Sequence, residues 1–417
     1  MTDHSAGAVR SEGGIFYGWW IAILAMLTLF VTNGITLTGI TVFDRGILEE
    51  FGWARGDLKL RDLITLGLSG LMAPFIGALA DRYSVKRLMI AGCLLLAGAL
   101  GAYSQLQTLR GLYLIHVVIA LVLALAGLVL NVVVVARWFI VKRGTALGLT
   151  LVGTSLGGTL FPIIGARLLT VYDWRTAMGM EAFFAIGMAV LLAVFLKDRP
   201  EEKGLQAFGA ASLSKERTSA ALDGMEYGEA IRTRTFWILA FCAMTTFYCI
   251  LGVQSNLVLH LQDLGWALPE AAKAIGILFT MGMLSKFVVG YLADFLDRKL
   301  VLIANISVML VGSLCLASMQ SALIWPFIVI FGLGWGGLYT LLQLLCMDSF
   351  GVKSGGKILG TITVLDAIGG GLGPFVTGKL FDVTRSYQMS FSIVVGLVAL
   401  ALVAALFLNP PKPAVPR

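Results

Sequence analysis

The sequence predicts an all-α membrane protein of twelve transmembrane helices, built as two related six-helix halves, and three observations carry that prediction. Of the 417 residues, 58% are hydrophobic and only 13% charged, with a mean hydropathy of +0.89, whereas a soluble domain carries about 25% charged residues. Apolar runs recur at close to the roughly 20 residues that a helix needs to cross a bilayer. Finally, motifs in the first half return in the second at a near-constant offset.

The runs occupy 16–43, 60–80, 87–104, 112–136, 145–170 and 175–196, then 236–261, 270–293, 300–319, 323–347, 358–381 and 389–409. They are numbered spans 1 to 12. The expected organisation is a tail over 1–14, a six-helix half over 15–196, a linker over 197–235, a second half over 236–409 and a tail over 410–417. Residues 1–14 are polar and small, and the run that follows is far longer than a signal-peptide core, so span 1 is expected to stay in the mature chain. The linker is the only long polar stretch. Its centre, Gly209 to Ser219, is small and polar and is expected to be mobile, and Met225 to Arg232 could form a short surface helix.

Orientation follows from Lys and Arg, which collect in short cytoplasmic loops. With the N-terminus inside, 20 of the 31 basic residues fall on the cytoplasmic side, ten on the other, and Lys286 lies within a span. Both termini are therefore expected in the cytoplasm, and the chain in the inner membrane of a bacterial cell. Eight of the nine Trp, among them Trp19, Trp138 and Trp325, fall near span ends, where amphipathic rings favour the headgroup region; Trp335 alone is mid-span. The net charge of +7 is thus accounted for by topology, and no nucleic-acid partner is expected. The five cysteines all lie in apolar segments without metal-like spacing, which suggests packing rather than disulfides or zinc.

The duplication shows in two motif pairs. Gly77-Ala-Leu-Ala-Asp81-Arg82-Tyr-Ser-Val-Lys86-Arg87 ends span 2, and Gly290-Tyr-Leu-Ala-Asp294-Phe-Leu-Asp297-Arg298-Lys299 ends span 8, at an offset of 213 residues. Gly153-x3-Gly157-Gly158-x3-Pro162 in span 5 is echoed by Gly369-Gly370-x3-Pro374 in span 11, at an offset of 212. Small residues let helices of opposite halves approach closely. The charged clusters at the cytoplasmic ends are candidate gating elements that hold one state shut: Gly77, Asp81, Arg82, Lys86, Arg87, Gly290, Asp294 and Arg298.

The G-x-L-A-D-R-x-x-x-K-R pattern between spans 2 and 3, with its degenerate copy between spans 8 and 9, resembles the signature of the major facilitator superfamily over nearly the whole chain. Position 84 is Ser where Gly is usual. Tyr17-Gly-Trp-Trp20, Glu50-Phe-Gly-Trp-Ala-Arg55, Arg137-Trp-Phe-x-x-Lys-Arg143-Gly-x-Ala-Leu-Gly148 and Gly378-x-x-x-Asp382 resemble bacterial members of the monocarboxylate carrier and oxalate/formate exchanger group. The resemblance implies the major facilitator fold and secondary active transport of a small organic anion by alternating access, foremost a monocarboxylate:proton symport. Anion exchange and drug or metabolite efflux are the alternatives.

An ionisable group in the hydrocarbon costs about 2.5–3.5 kcal/mol on insertion scales, so a mid-span charge is a functional candidate. Lys286 lies eight residues before Asp294 and Asp366 nine after Lys357, which places both about 12–14 Å from the cytoplasmic boundary. A static Lys286–Asp366 pair is one reading. In the other, Lys286 is the charge partner of a substrate carboxylate, and Asp366 is its partner in the empty state or a protonatable coupling site. The resemblance supports the second, because the group bears an Arg in span 8 in a Gly-Arg-x-x-x-Gly context that Ser285-Lys286-x-x-x-Gly290 matches with Lys for Arg. It likewise implies a second proton-coupling site at Asp263, and a cavity formed by spans 1, 4, 7 and 10, where Asn33, Thr36, Asn131, Gln254, Asn256, Tyr339 and Gln343 are candidate substrate contacts.

Arg61 and Asp62 are expected to snorkel at the outer end of span 2, and His116 and Glu181 to serve packing or the interface. With three histidines and no cluster of catalytic groups, neither an enzyme nor a cofactor is expected. The expected partners are the small organic anion, protons and the lipid bilayer, and the chain is expected to work as a monomer.

Overall fold

The computed structural model describes residues 16–210, 224–351 and 354–408, without the side chains of Pro74 and Asp81. Both tails, the centre of the linker and Lys353 lie outside the described residues. Among the described residues, eleven helices are long and apolar enough to cross a membrane. The twelfth, span 2, runs from Arg55 to Arg82 over 28 residues, ample length for a crossing. Its first turns carry Lys59, Arg61 and Asp62, of which the fold buries Lys59 and Arg61 completely.

Eight further spans are single continuous helices. In the first six these are span 3 (Val85–Ser104), span 5 (Arg143–Leu168) and span 6 (Trp174–Phe195). In the second they are span 7 (Arg234–Asp263), span 8 (Leu268–Phe295), span 9 (Arg298–Ala317), span 11 (Gly355–Thr384) and span 12 (Gln388–Leu406). The odd-to-even turns lie on the face away from residues 16 and 408; that face is called distal, and the other terminal. Span 6 begins on the Asp173 cap, whose carboxylate accepts from the Arg175 and Thr176 backbone N–H groups. The Thr176 hydroxyl and these N–H groups hold that carboxyl below its ordinary range.

Three spans are irregular, which their uniformly apolar sequences do not announce. Span 1 is α-helical over Tyr17–Asn33, turns π-helical over Gly34–Thr38 and 3-10 over Gly39–Phe43, and resumes as Asp44–Phe51. Span 4 breaks at Gly127 between Leu109–Ala126 and Leu128–Trp138. Span 10 breaks at Gly337 between Ile324–Gly336 and Leu338–Phe350. Such breaks free backbone polar groups, and in a membrane they persist only where the protein or a cavity re-satisfies them.

The two sixes meet along two helix pairs, span 2 with span 11 and span 5 with span 8. The span 5 glycines are used in two directions. A Cβ on Gly157 would strike Phe30 O and the Gly34 backbone of span 1, within the same six, while one on Gly158 would strike the Phe279 ring of span 8. The expected close approach of opposite halves thus holds for Gly158, whereas Gly157 seats the π turn of span 1. On the linker, Phe208 joins the span 4–5 loop through backbone bonds with Trp138 and Ile140, and Tyr227–Ala230 forms one helical turn before span 7.

Candidate functional site

The irregular stretches of spans 1, 4 and 10 converge on a cavity of about 270 Å³. Its wall includes Asn33 and Thr38 of span 1, Leu128 of span 4, and Trp335, Gly336 and Tyr339 of span 10. Span 5 adds Leu151 and Thr154, span 7 adds Phe247 and Gln254, span 8 adds Phe279 and Lys286, and span 11 adds Thr363 and Asp366. Of the sequence candidates, Lys286, Asn33, Gln254, Tyr339 and Asp366 are brought together here.

Lys286 does not bond to Asp366. Its ammonium donates to Thr154 Oγ1 at 3.1 Å and Ser155 Oγ at 2.8 Å, both on span 5 of the other six. It also lies 5.7 Å from the Trp335 ring centre, within the range of a cation–π attraction. Among the described residues its positive charge has no carboxylate partner. Trp335 was legible only as a mid-span aromatic. Its indole lies across Gly282, where a Cβ would approach Trp335 Cζ2 to 2.5 Å, and its Nε1–H has no hydrogen-bond acceptor. Gln254 Nε2 is a second buried donor with no partner. Lys286, Trp335 and Gln254, the last two each with an unsatisfied buried N–H donor, therefore line a largely apolar chamber with one carboxylate, Asp366, itself only 5% exposed. Burying such donors costs free energy until an acceptor arrives.

The remaining sequence candidates lie elsewhere. Asn131 donates to the Ala126 and Gly127 carbonyls, at 3.0 and 2.7 Å, and thereby satisfies the break in span 4. Asn256 donates to Gly252 O and, at 3.4 Å, to Pro374 O, tying span 7 to span 11. Gln343 stands beside the Tyr339 hydroxyl, outside the cavity wall. Thr36 lines a smaller chamber beside the cavity.

Asp263 is held at the distal face, clamped by Arg55 through NH1 at 2.6 Å and NH2 at 2.8 Å. Arg55 also reaches the Tyr387 hydroxyl at 2.5 Å and lies 3.8 Å over the Phe381 ring. The Asp382 carboxylate of span 11 accepts the backbone N–H groups of Arg55 and Gly56 at 2.8 and 2.7 Å. It thus caps span 2 from the opposite six, where an anion also complements the helix dipole. Lys379 completes the closure on Asp57 at 2.5 Å.

Beneath this latch lies a buried charge cluster that the sequence did not disclose. Lys59 bonds Asp44 at 2.6 Å, Ser255 Oγ at 2.8 Å and the Ser255 carbonyl. Arg61, rather than snorkelling, is fully buried; it pairs with Asp44, donates to Tyr103 at 3.3 Å and lies 3.5 Å from Asp62. His116 is not an isolated packing residue either, because its ring bridges Tyr103 and Thr65, each at 2.7 Å. Glu181 is buried with neither carboxyl oxygen partnered.

The terminal-face candidates stay within their own six among the described residues. The Lys86 backbone N–H donates to Asp198, and Arg298 pairs with Asp348 at 2.6 Å. Arg82, Arg87 and Asp294 are exposed, and a Cβ on Gly77 or Gly290 would meet nothing within 4 Å. The side chain of Asp81 is outside the described residues. In this conformation the inter-half latch is therefore at the distal face, opposite the motif expected to form it.

Comparisons with known proteins agree with this architecture. A solved bacterial homologue of the human lysosomal transporter Spinster, in an inward-facing and occupied conformation, superposes with a TM-score of 0.75 over 95% of this chain and 97% of its own, at 16% identity. A point mutant of the nucleoside transporter NupG superposes with a TM-score of 0.73 over 94% and 100%, at 12% identity. In sequence, the chain is 24% identical to the uncharacterized MFS-type transporter YhjX of Escherichia coli, over 81% of this chain and 86% of that one. It is 25% identical to monocarboxylate transporter 13 of Bos taurus, over 94% and 88%. The family model of the Major Facilitator Superfamily matches residues 19–374, so this chain, with its twelve helices, two sixes and midway cavity, belongs to that superfamily of membrane transporters and is not an enzyme.

Proposed function

We propose that the protein carries a small monocarboxylate across the membrane together with a proton, by alternating exposure of the central cavity. The observation that carries the reading is the Lys286 ammonium, which faces the cavity without a carboxylate partner and is held in place by Thr154 and Ser155. Trp335 Nε1–H and Gln254 Nε2–H are unsatisfied donors of residues on the same wall, and a carboxylate supplies the counter-charge that Lys286 lacks and the acceptors that the other two lack. Lys binds as a point charge rather than a planar fork, so the tryptophan and glutamine donors take over the orienting role that a guanidinium would fill. The apolar side chains of Phe247, Ile250 and Phe279 take the body of the acid. Likeness to monocarboxylate transporter 13 supports the same substrate class.

Asp366 is the cavity carboxylate that takes up a proton when the anion binds, which keeps the occupied chamber electroneutral. Asp263 serves the latch instead. The basic-residue asymmetry orients the terminal face to the cytoplasm of a bacterial cell, so the distal latch is the outer gate and this conformation has it shut. The cavity is complete within one chain, which accordingly works as a monomer.

Thermal shift of the purified protein with a panel of L-lactate, pyruvate, benzoate and phenylacetate tests the reading. At least one acid raises the melting temperature of the wild type, Lys286→Ala abolishes the shift and Lys286→Arg keeps part of it. A full shift in the alanine variant removes Lys286 from the site.

A further inference from the structure

A proton that drives transport must reach a group accessible from either side of the gate in turn. The buried cluster beneath the latch contains such a group. Asp62 of span 2 accepts from Ser255 Oγ of span 7 at 2.6 Å, so one of its bonds crosses between the sixes. Its side chain is 13% exposed, while Lys59, Arg61 and Asp44 beside it are fully buried. That exposure opens onto a chamber of about 20 Å³ lined by Asp62, Thr36, Thr65, Gln254 and Ser255. Leu37, Leu66, Leu251 and Pro374 complete its wall, and a space of this size with several polar groups on its wall accommodates one water. Gln254 lines both this chamber and the central cavity, and its Nε2–H is unsatisfied.

We infer that Asp62 is a proton-binding carboxylate of the outer gate, the first station of a path that leads through the Gln254 chamber to the cavity. The inference rests on the anion-transport reading. When the distal latch opens, Ser255 withdraws with its six and Asp62 meets water on the outer side. An O–H bond forms on an Asp62 carboxyl oxygen as one breaks on a hydronium ion. When the latch closes, the proton passes to the chamber water and on toward Asp366.

The charge balance couples this step to the substrate. Four charged groups face one another: Asp62, Arg61 and Lys59 on span 2, and Asp44 on span 1. Tyr103 of span 3, His116 of span 4 and Tyr387 at the start of span 12 are the neighbouring titratable groups, and spans 7 and 11 line the chamber with Leu251, Gln254, Ser255 and Pro374. Two cations balance two carboxylates. Protonating Asp62 leaves one positive charge in a low-dielectric interior, which is costly unless an anion occupies the adjoining cavity. By linkage, the anion then raises the proton affinity of Asp62 and the proton raises the affinity for the anion.

The test uses proteoliposomes containing the full chain, with radiolabelled L-lactate and phenylacetate as probes. Asp62→Asn is expected to lose accumulation driven by an imposed pH gradient while retaining counterflow, which needs no net proton movement, within about threefold of wild type. Asp62→Glu is expected to restore part of the gradient-driven accumulation. Wild-type accumulation by Asp62→Asn overturns the inference, and so does loss of counterflow in both variants, which makes Asp62 a structural residue. Absence of counterflow by the wild type instead overturns the anion-transport reading, so the two failures are distinguishable.

Discussion

At the scale of the residue, burial decides what each charge does. Lys286 was legible in the sequence, because an ionisable group so far inside an apolar run has few explanations. What it touches was not legible. Thr154 and Ser155 lie more than a hundred residues away, and nothing in their own segment marks them as its acceptors. Trp335 was invisible as a donor for a related reason, since its orientation depends on the missing side chain of Gly282. Trp335→Phe retains an aromatic ring and removes the N–H, and weakens anion affinity about tenfold, as the loss of one charge-assisted bond implies; titrated thermal shift or isothermal calorimetry reads it. Arg61 shows the opposite failure. Its place at a span end suggested snorkelling, but Asp44 lies in the returning end of span 1 and draws it inward. Asp44→Ala leaves Lys59 and Arg61 buried without their shared carboxylate, and lowers stability by about 3–5 kcal/mol, measurable as a fall in unfolding temperature in detergent.

At the scale of the element, hydropathy located the spans but not their interruptions. Gly127 and Gly337 sit in runs whose apolar character is unbroken, and the π turn at Gly34–Thr38 follows from packing against Gly157 of span 5. These deviations matter more to function than the regular helices do, because all three irregular spans face the cavity. The contact between Asp382 and span 2 has the same character. Gly378-x-x-x-Asp382 was recognised as a motif, yet its use as a helix cap for the opposite six requires the two ends to meet in space. Asp382→Ala removes the acceptor for two backbone N–H groups and costs the closed form about 1 kcal/mol. Hydrogen exchange at the first turn of span 2 is expected to rise in the variant and to stay unchanged at the terminal end of the same helix.

At the scale of the whole molecule, the duplication read from Gly77–Arg87 and Gly290–Lys299 carried the architecture. It could not indicate which face is shut, because a sequence that serves two conformations encodes the contacts of both. Among the described residues the terminal-face motif makes no ion pair with the opposite six, and the latch is made by Arg55, Asp57, Asp263, Lys379 and Asp382 instead. Arg55→Ala removes the clamp on Asp263 and the contacts to Tyr387 and Phe381, and shifts the population toward an open distal face. Spin labels on cysteines replacing the exposed Arg110 and Lys273, one in each six, are expected to show a longer distance in the Arg55→Ala background, and an unchanged distribution removes Arg55 from the latch.

The account rests on anion and proton crossing together through the Lys286 cavity, and gradient-driven uptake into proteoliposomes tests that most directly. With the interior made alkaline, the wild type is expected to concentrate a labelled monocarboxylate of the panel, a protonophore to collapse the accumulation, and Lys286→Ala to match empty liposomes. Uptake indifferent to the pH gradient, or undiminished in Lys286→Ala, contradicts the account.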